Sequence, residues 1–385
     1  MKKRSSLVLV LLALLGPGGV AACGSADSGS SGDSYVLGAA LPLSGAAASF
    51  GTAYQHGIDG CVNLVNERRD LPKPVTVKYV DTGAGETSKG IAAFTQLTTV
   101  DHATTVFSAY SSITTALAPL AQRTRVPVLN GGSLSPSLAN QPWVWNTVPF
   151  LSSELSASVP YVKERMPDRK KAMLIYQDDV VGKDAVGLVR QAWEGDGRTL
   201  DTLPVAVQLA SFSAQVDKVK AQDPDVIFLV HSGDPQAVLI QQLRSAGVHA
   251  QIVGASPFPT PAVLKLKEAE GSLFTLQAVD FSAKDPTTTG FLRLTGAKPG
   301  EGAIVGEADY CNGVLMWAQA AKRLVAEGRD VTGANLNDKF GSQGRIDAVG
   351  GTLELLPDHT LKSPIAINQV KDGAFTTVAT VPAAG

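Results

Sequence analysis

Short apolar runs alternate with helical patterns along nearly the whole chain, and this alternation limits the possible folds more than any other feature. The strand candidates are Tyr35–Leu41, Val75–Asp81, Thr105–Ser108, Pro127–Asn130, Ala172–Tyr176, Leu203–Val207, Val226–Val230 and Ile252–Gly254. Between them, Ile58, Cys61, Val62 and Val65 repeat at helical spacing, as Ile91, Phe94, Thr95 and Thr98 do more weakly. Leu188–Trp193, Val238–Leu243 and Val314–Val325 are further helix candidates. Strands that are brief and apolar, with helices between them, belong in parallel sheets covered on both faces. The expected class is therefore α/β.

Two bodies are expected rather than one, since 385 residues exceed the usual size of a single domain. The alternation breaks near Trp143–Phe150 and then restarts, as a crossing between lobes would require. A second crossing falls near Leu273–Phe281, and from Arg345 onward turn signals such as Pro357-Asp358 and Asp372-Gly373 separate a series of strands. In open α/β sheets ligands bind beyond the carboxyl ends of the strands, where helix N-termini offer unpaired N–H groups. "VFSAYSSITTALAPLA", Val106 to Ala121, is one such place. It gathers Ser108, Ser111, Ser112, Thr114 and Thr115 where a helix cap needs one hydroxyl. "LNGGSLSPSL", Leu129 to Leu138, is another, with two glycines followed by Ser133 and Ser135. Turn chemistry plus a helix cap is the competing reading of each.

The N-terminus points to export. Lys2, Lys3 and Arg4 precede an apolar run, Leu7 to Leu15, that is too short to span a bilayer and reads as a secretory signal over residues 1–22. Val20-Ala21-Ala22-Cys23 resembles the lipobox of bacterial lipoproteins, which makes Cys23 the lipidated residue and residues 23–34 a flexible Gly/Ser tether. Removing the leader takes away three basic residues and no acidic ones, moving the formal charge from −2 to −5. That balance argues against a nucleic-acid partner. No later stretch is long and apolar enough to span a membrane, so the expected membrane link is the lipid. Cys61 and Cys311 remain. An even pair outside the cytoplasm suggests a disulfide, and two independent buried thiols are the alternative.

Several segments carry a family likeness. "GAALPLSGAAASFGTAYQHGIDGCVNLVN", "VKYVDTGAGETSKGIAAFTQL", "VFSAYSSITTALAPLAQRTRVPVLN" and "SFSAQVDKVKAQDPDVIFL" follow one another in order and spacing. In this the chain resembles the substrate-binding proteins of ABC importers, in the branched-chain amino-acid-binding (type I periplasmic-binding, leucine-binding-like) group. The resemblance implies two Rossmann-like lobes with parallel sheets, joined by a three-segment hinge. Lobe 1 would comprise 35–147 and 279–345, and lobe 2 would comprise 148–278 and 346–385. It implies a monomer that needs no cofactor or metal, closes on a small solute and meets an ABC permease in the membrane. The lipoprotein form it implies is usual in Gram-positive bacteria. Carried over by position, Ser111 and Ser112 in one loop, with Ser133 and Leu134 in the next, would hold a carboxylate, and Phe50 would pack on the ligand. Cys61, and Cys311 on the helix "ADYCNGVLMWAQAAKRL", would both lie in lobe 1, so bridging them fits the fold. The family's usual disulfide joins other loops, whose positions here are not cysteines.

The second lobe departs from the family pattern. Amino-acid binders place an acidic residue after the strand ending at Gly254 to pair with the ligand's ammonium; "VGASPF" puts Ser256 there. Aromatic residues of two other loops are replaced by Val181 and Ser232. A buried ammonium without a partner is costly, so an α-amino acid would need Asp178, Asp179 or Asp280 to supply the charge. His231 either contacts a polar or anionic group or is a solvent-exposed loop histidine.

The expected function is extracytoplasmic capture of a small polar solute, an amino acid or a related carboxylate or amide, for delivery to a permease. A sensor subunit signalling to a membrane partner is the alternative, and a secreted hydrolase is a more distant one. "GGSLS" and "GASPF" lack the last glycine of a nucleophile elbow. His56, His102, His231, His249 and His359 show no metal-ligand spacing, and neither a Walker loop nor a Gly-x-Gly-x-x-Gly turn opens a helix. The adjacent Asp178 and Asp179 read as a solvated turn or a hinge contact rather than an acid–base pair.

Overall fold

The computed structural model describes residues 33–206, 209, 211–300 and 303–383. The signal segment, Cys23 and nearly all of the tether lie outside the described residues. The chain first runs through β1 (Tyr35–Leu41), α1 (Ala48–Arg68), β2 (Val75–Asp81), α2 (Thr87–Thr99), β3 (Thr105–Ser108), α3 (Ser111–Thr124), β4 (Val128–Asn130) and β5 (Val144–Asn146). These strands form one parallel sheet in the order β2-β1-β3-β4-β5. β1 is an interior strand, and its Leu37, Ala39, Ala40 and Leu41 are wholly buried. α1 exists for the reason its spacing suggests: Ile58, Cys61, Val62 and Val65 form one buried stripe.

The chain then crosses to α4 (Leu151–Arg165), β6 (Lys171–Gln177), α5 (Val180–Trp193), β7 (Thr199–Val205), α6 (Ser213–Gln222), β8 (Val226–Val230), α7 (Pro235–Ser245), β9 (Gln251–Gly254), α8 (Pro261–Leu264) and β10 (Leu273–Gln277). β8 is buried at every position, as a continuous apolar run should be in a strand covered on both faces. Returning, the chain forms α9 (Pro286–Thr295), α10 (Ile304–Ala326), α11 (Gly333–Gly341), β11 (Arg345–Ala348), β12 (Gly351–Leu355) and β13 (Leu361–Lys362). It ends in β14 (Ile365–Lys371) and β15 (Ala374–Val381), which extend the second sheet to the order β15-β14-β10-β9-β8-β6-β7. β14 and β15 join antiparallel; the rest of that sheet is parallel.

One boundary lies elsewhere than expected. The small sheet β11-β12-β13 packs on the first lobe, not the second. Asp347 donates its backbone N–H to Gln319 Oε1 at 3.1 Å, and Val349 donates to Asn312 Oδ1 at 2.8 Å, both partners on α10. His359, just before β13, stacks on Trp145 with ring centroids 3.7 Å apart. We place the last crossover at 363–364 rather than after Arg345. Local alternation reveals strands, but the body they dock on is chosen by distant partners.

α10 is the chain's return contribution to the first lobe. A Cβ on Gly57 would lie 2.2 Å from the Glu307 carbonyl oxygen, and one turn further along both helices Cys61 and Cys311 form a disulfide with Cα atoms 5.3 Å apart. Because the contacts advance together, α1 and α10 run parallel, and the close approach at Gly57 depends on a residue without a side chain.

Candidate functional site

A cleft with about 580 Å³ of unfilled space, part of it open to solvent, lies where the two sheets' carboxyl ends face each other. From the first lobe it is lined by Pro42, Phe50, Tyr54, Ala109, Tyr110, Ser111, Gly132 and Leu134. From the second come Gln177, Asp179, Val181, Gly182, Val230, His231, Ser232 and Pro257. An adjoining compartment of about 520 Å³ shares Phe50, Tyr54, Gly132, Leu134 and Pro257, and adds Ser256 and Asp309.

The hydroxyl-rich turn after β3 is largely stitching around this cavity. Tyr110 takes a positive φ of 66° and gives α3 no side-chain cap, so the first turn of α3 opens on the cavity with its N–H groups uncapped. Leu134 and Ser135 donate backbone N–H groups to Ser111 Oγ at 3.1 and 3.2 Å. The Ser111 hydroxyl proton is thereby left for a ligand. Ser108, Thr114 and Ser133 form a buried hydroxyl chain at 2.9 and 2.6 Å. Ser112 is half-buried and reaches the Gly85 carbonyl at 3.5 Å. Asn130 holds the following loop, accepting from the N–H groups of Gly132 and Ser133 while its amide donates to Asn146 Oδ1.

An aromatic column forms the floor. Ring centroids of Phe50 and Tyr54 lie 6.1 Å apart, and those of Tyr54 and Tyr310 lie 4.2 Å apart. Gly131 and Gly132 are small because of this column: a Cβ on either would lie 2.9 Å from Tyr310. Burial pushes the phenols of Tyr54, Tyr110 and Tyr310 above their ordinary value, so they stay neutral donors.

The second lobe presents a polar cluster. Asp179 caps α5 by accepting from Gly182 N–H at 2.9 Å, and a Cβ on Gly182 would collide with the Gln177 carbonyl. The Gln177 side chain donates to Asp179 Oδ2 and accepts from Ser232 N–H. Burial pushes the Asp179 carboxyl up, opposed by the Gly182 and Gln177 hydrogen bonds. His231 is buried, and burial pushes its imidazole below the ordinary value, against the pull of Asp179. A neutral ring whose Nε2–H points to the Ala206 carbonyl at 3.4 Å leaves Nδ1 as an acceptor, and Nδ1 has no partner.

The lobes are closed over the cavity. Ser135 donates to Asp184 Oδ2 at 2.8 Å, and Asp234 N–H meets the Ala46 carbonyl at 3.4 Å. Gly233, with φ of 80°, packs so closely that a Cβ would lie 2.4 Å from the Ala46 oxygen.

Of the residues singled out from the sequence, Phe50, Ser111, Leu134, Val181, His231 and Ser232 meet around the main cavity. Ser256 lines the adjoining compartment. Ser112 and Ser133 do not line either space. His231 is not an exposed loop residue but is 2% exposed. Among the three candidate carboxylates, Asp179 faces the cavity, Asp178 is exposed and paired with Lys183 at 3.1 Å, and Asp280 is exposed elsewhere. Tyr54, Tyr110, Gln177 and Asp309 also line the two spaces and are not singled out by the sequence; an acid set within a helical apolar run, as in "ADYCNGV", is the available signal for the last. No group of metal-ligating side chains occurs among the described residues, and no helix there is long and apolar enough to cross a membrane.

Comparison with known proteins fits this architecture. The family described as periplasmic binding protein matches residues 34–374. The Leu/Ile/Val-binding protein homolog 3 of Brucella melitensis biotype 1 is 24% identical over 258 residues, covering 66% of this chain and 68% of that protein. The structure of a solute-binding protein of an ABC transporter from R. palustris, in complex with benzoate, superposes with a TM-score of 0.80 at 16% identity, covering 91% of this chain and 98% of that one. The branched-chain amino acid transporter substrate-binding protein of Streptococcus pneumoniae, in complex with isoleucine, gives 0.78 at 21% identity over 91% and 99%.

Proposed function

Because the chain belongs to the periplasmic binding protein family, we propose that it captures a small carboxylate-bearing solute between its two lobes and passes it to an ABC permease. One observation carries this reading: residues from both lobes, Phe50, Ser111 and Leu134 facing Val181, His231 and Ser232, line one cavity over which the lobes are closed. The uncapped α3 N-terminus and the Ser111 hydroxyl suit a carboxylate, and the Phe50–Tyr54 floor suits an apolar body. The solutes of the related structures, benzoate and isoleucine, share these two parts. The family is one of binding proteins, not enzymes.

The test is a thermal-shift panel on residues 24–385, spanning branched-chain amino acids, benzoates, aliphatic carboxylates, amides and sugars. A ligand at a hundred times its dissociation constant adds about 2.7 kcal/mol to stability and raises the melting point visibly. Sugars shifting it while no carboxylate does would defeat the reading.

The sequence around Cys23 supports export and lipid anchoring as part of the same proposal. Cys23→Ala in a Gram-positive host should release the protein from the membrane fraction into the medium. Retention of the variant in the membrane fraction would remove Cys23 as the anchor.

A further inference from the structure

A separate space lies at the hinge, with about 1210 Å³ unfilled and part of it open to solvent. It shares no lining residue with the solute cleft or the compartment beside it. Both lobes build its wall: Lys362 comes from β13 on the first, and Ser152 and Ser153 come from the first turn of α4 on the second. Phe150 and Ser363 complete it, each from one of the chain's crossings between the lobes.

Three features of this wall are donors without acceptors. The 15-residue α4 has no side-chain cap. Its Leu151 N–H goes to the Leu134 carbonyl, and those of Ser153 and Glu154 go to the Phe150 carbonyl, but the Ser152 N–H has no partner among the described residues. Lys362 is half-buried, and no ion pair among the described residues includes it. Ser363 is 5% exposed, and its hydroxyl has no hydrogen-bond partner. Two acids lie nearby, and both are engaged elsewhere. Asp358 lines the space, but its Oδ1 accepts from Thr360 N–H at 3.1 Å and Thr360 Oγ1 at 2.6 Å. Glu154 does not line it, and its Oε2 accepts from Ser256 N–H and Thr275 Oγ1. Water could satisfy the hydroxyls one at a time. An anion also answers the ammonium and the positive end of the helix.

We propose that the hinge space is a second binding site, for a small oxyanion of the phosphate type, held by Lys362, the Ser152 N–H and the hydroxyls of Ser152 and Ser363. Several acceptor oxygens on one small ion match several donors that converge from three segments. The site has a regulatory consequence. Lys362 belongs to one lobe and α4 to the other, and the closed arrangement is the one that puts them in a single wall. An anion that bridges them binds the closed form better than the open one. It therefore raises affinity in the solute cleft, and the solute raises anion affinity by the same factor. This coupling rests on the reading of the cleft as the solute site; the anion site itself does not.

The experiment titrates residues 24–385, without solute, with inorganic phosphate against chloride at matched ionic strength, and follows backbone amide resonances by NMR. Expected are saturable shifts at Ser152, Lys362 and Ser363 with phosphate and none with chloride. Lys362→Gln should weaken phosphate binding at least tenfold and Ser363→Ala at least threefold. Lys371→Gln, which removes an exposed charge at the end of β14 outside this wall, should leave it unchanged. Shifts that do not saturate, that centre elsewhere, or that fall equally in the Lys362 and Lys371 variants overturn the site. Should the variants fail to fold, the position of the wild-type shifts decides. The solute found by the thermal-shift panel is then titrated with and without saturating phosphate, and its affinity should rise at least threefold. Unchanged solute affinity overturns the coupling and leaves the site. A panel with no binder removes the solute reading and the coupling with it, while the phosphate titration still decides the site.

Discussion

Ser111→Leu should reduce solute affinity by at least a hundredfold, while Ser112→Leu changes it less than threefold. The two serines are neighbours, yet they differ in every respect that matters. Ser111 is 4% exposed, lines the cavity and accepts the backbone N–H groups of Leu134 and Ser135. Leucine would fill the space at the α3 N-terminus and leave both N–H groups without an acceptor, at about 1–3 kcal/mol each. The loss reaches further than the contact itself. Ser135 also donates to Asp184 across the lobes, so a loosened 133–135 loop weakens closure as well as the ligand contact. Two decades of affinity correspond to about 2.7 kcal/mol, well within what these losses supply. Ser112 makes one long contact, to the Gly85 carbonyl at 3.5 Å. Titration calorimetry with the ligand identified by the panel decides the matter. Equal losses in both variants would show that the hydroxyl chemistry of the turn, rather than Ser111 itself, holds the solute.

The second large effect concerns stability. The Cys61→Ala/Cys311→Ala double variant should lose roughly 3–5 kcal/mol of unfolding free energy, because the bond closes a loop with a sequence separation of 250 residues. Both cysteines are wholly buried between α1 and α10, so alanine leaves a small cavity in addition. The second lobe apart from β14 and β15 lies within that loop, and the bond ties together two segments of the first lobe. Urea unfolding of oxidised, reduced and double-variant protein measures it. Burial also predicts slow reduction under native conditions, since the reductant must wait for the helices to part. An unchanged midpoint would make the pair two independent buried thiols.

The local features were legible for a simple reason: strand and helix periodicity is written in neighbouring residues. Val226–Val230 reads as a covered strand and is one. The strand-end rule by itself pointed only to the two serine-rich loops, after Thr105–Ser108 and after Pro127–Asn130; Phe50, Leu134, Val181, His231 and Ser232, which also line the main cavity, were named through the family resemblance. What failed was anything fixed by distance in sequence. Ser112 differs from Ser111 by one step of about 100° around a helix, and nothing in the run of hydroxyls says which faces inward. The placement of β11–β13 depends on Gln319, Asn312 and Trp145. The glycines after β4 answer to Tyr310, nearly 180 residues away. Glu154, which accepts from Ser256 N–H at 2.7 Å, reads in "LSSELSASV" as an ordinary helix residue.

The rim contacts bear on kinetics. Ser135 bonded to Asp184 and Gly233 pressed against Ala46 are contacts that must break before the lobes separate and free a bound solute. Its residence time is then governed by the opening rate, which rim residues set without touching the solute. Solutes that fit the cavity poorly leave sooner only to the extent that they hold the lobes together less well. A receptor of this build can therefore retain a modestly bound cargo for long periods in dilute surroundings. It also gives any membrane partner that spreads the lobes a direct means of timing the release.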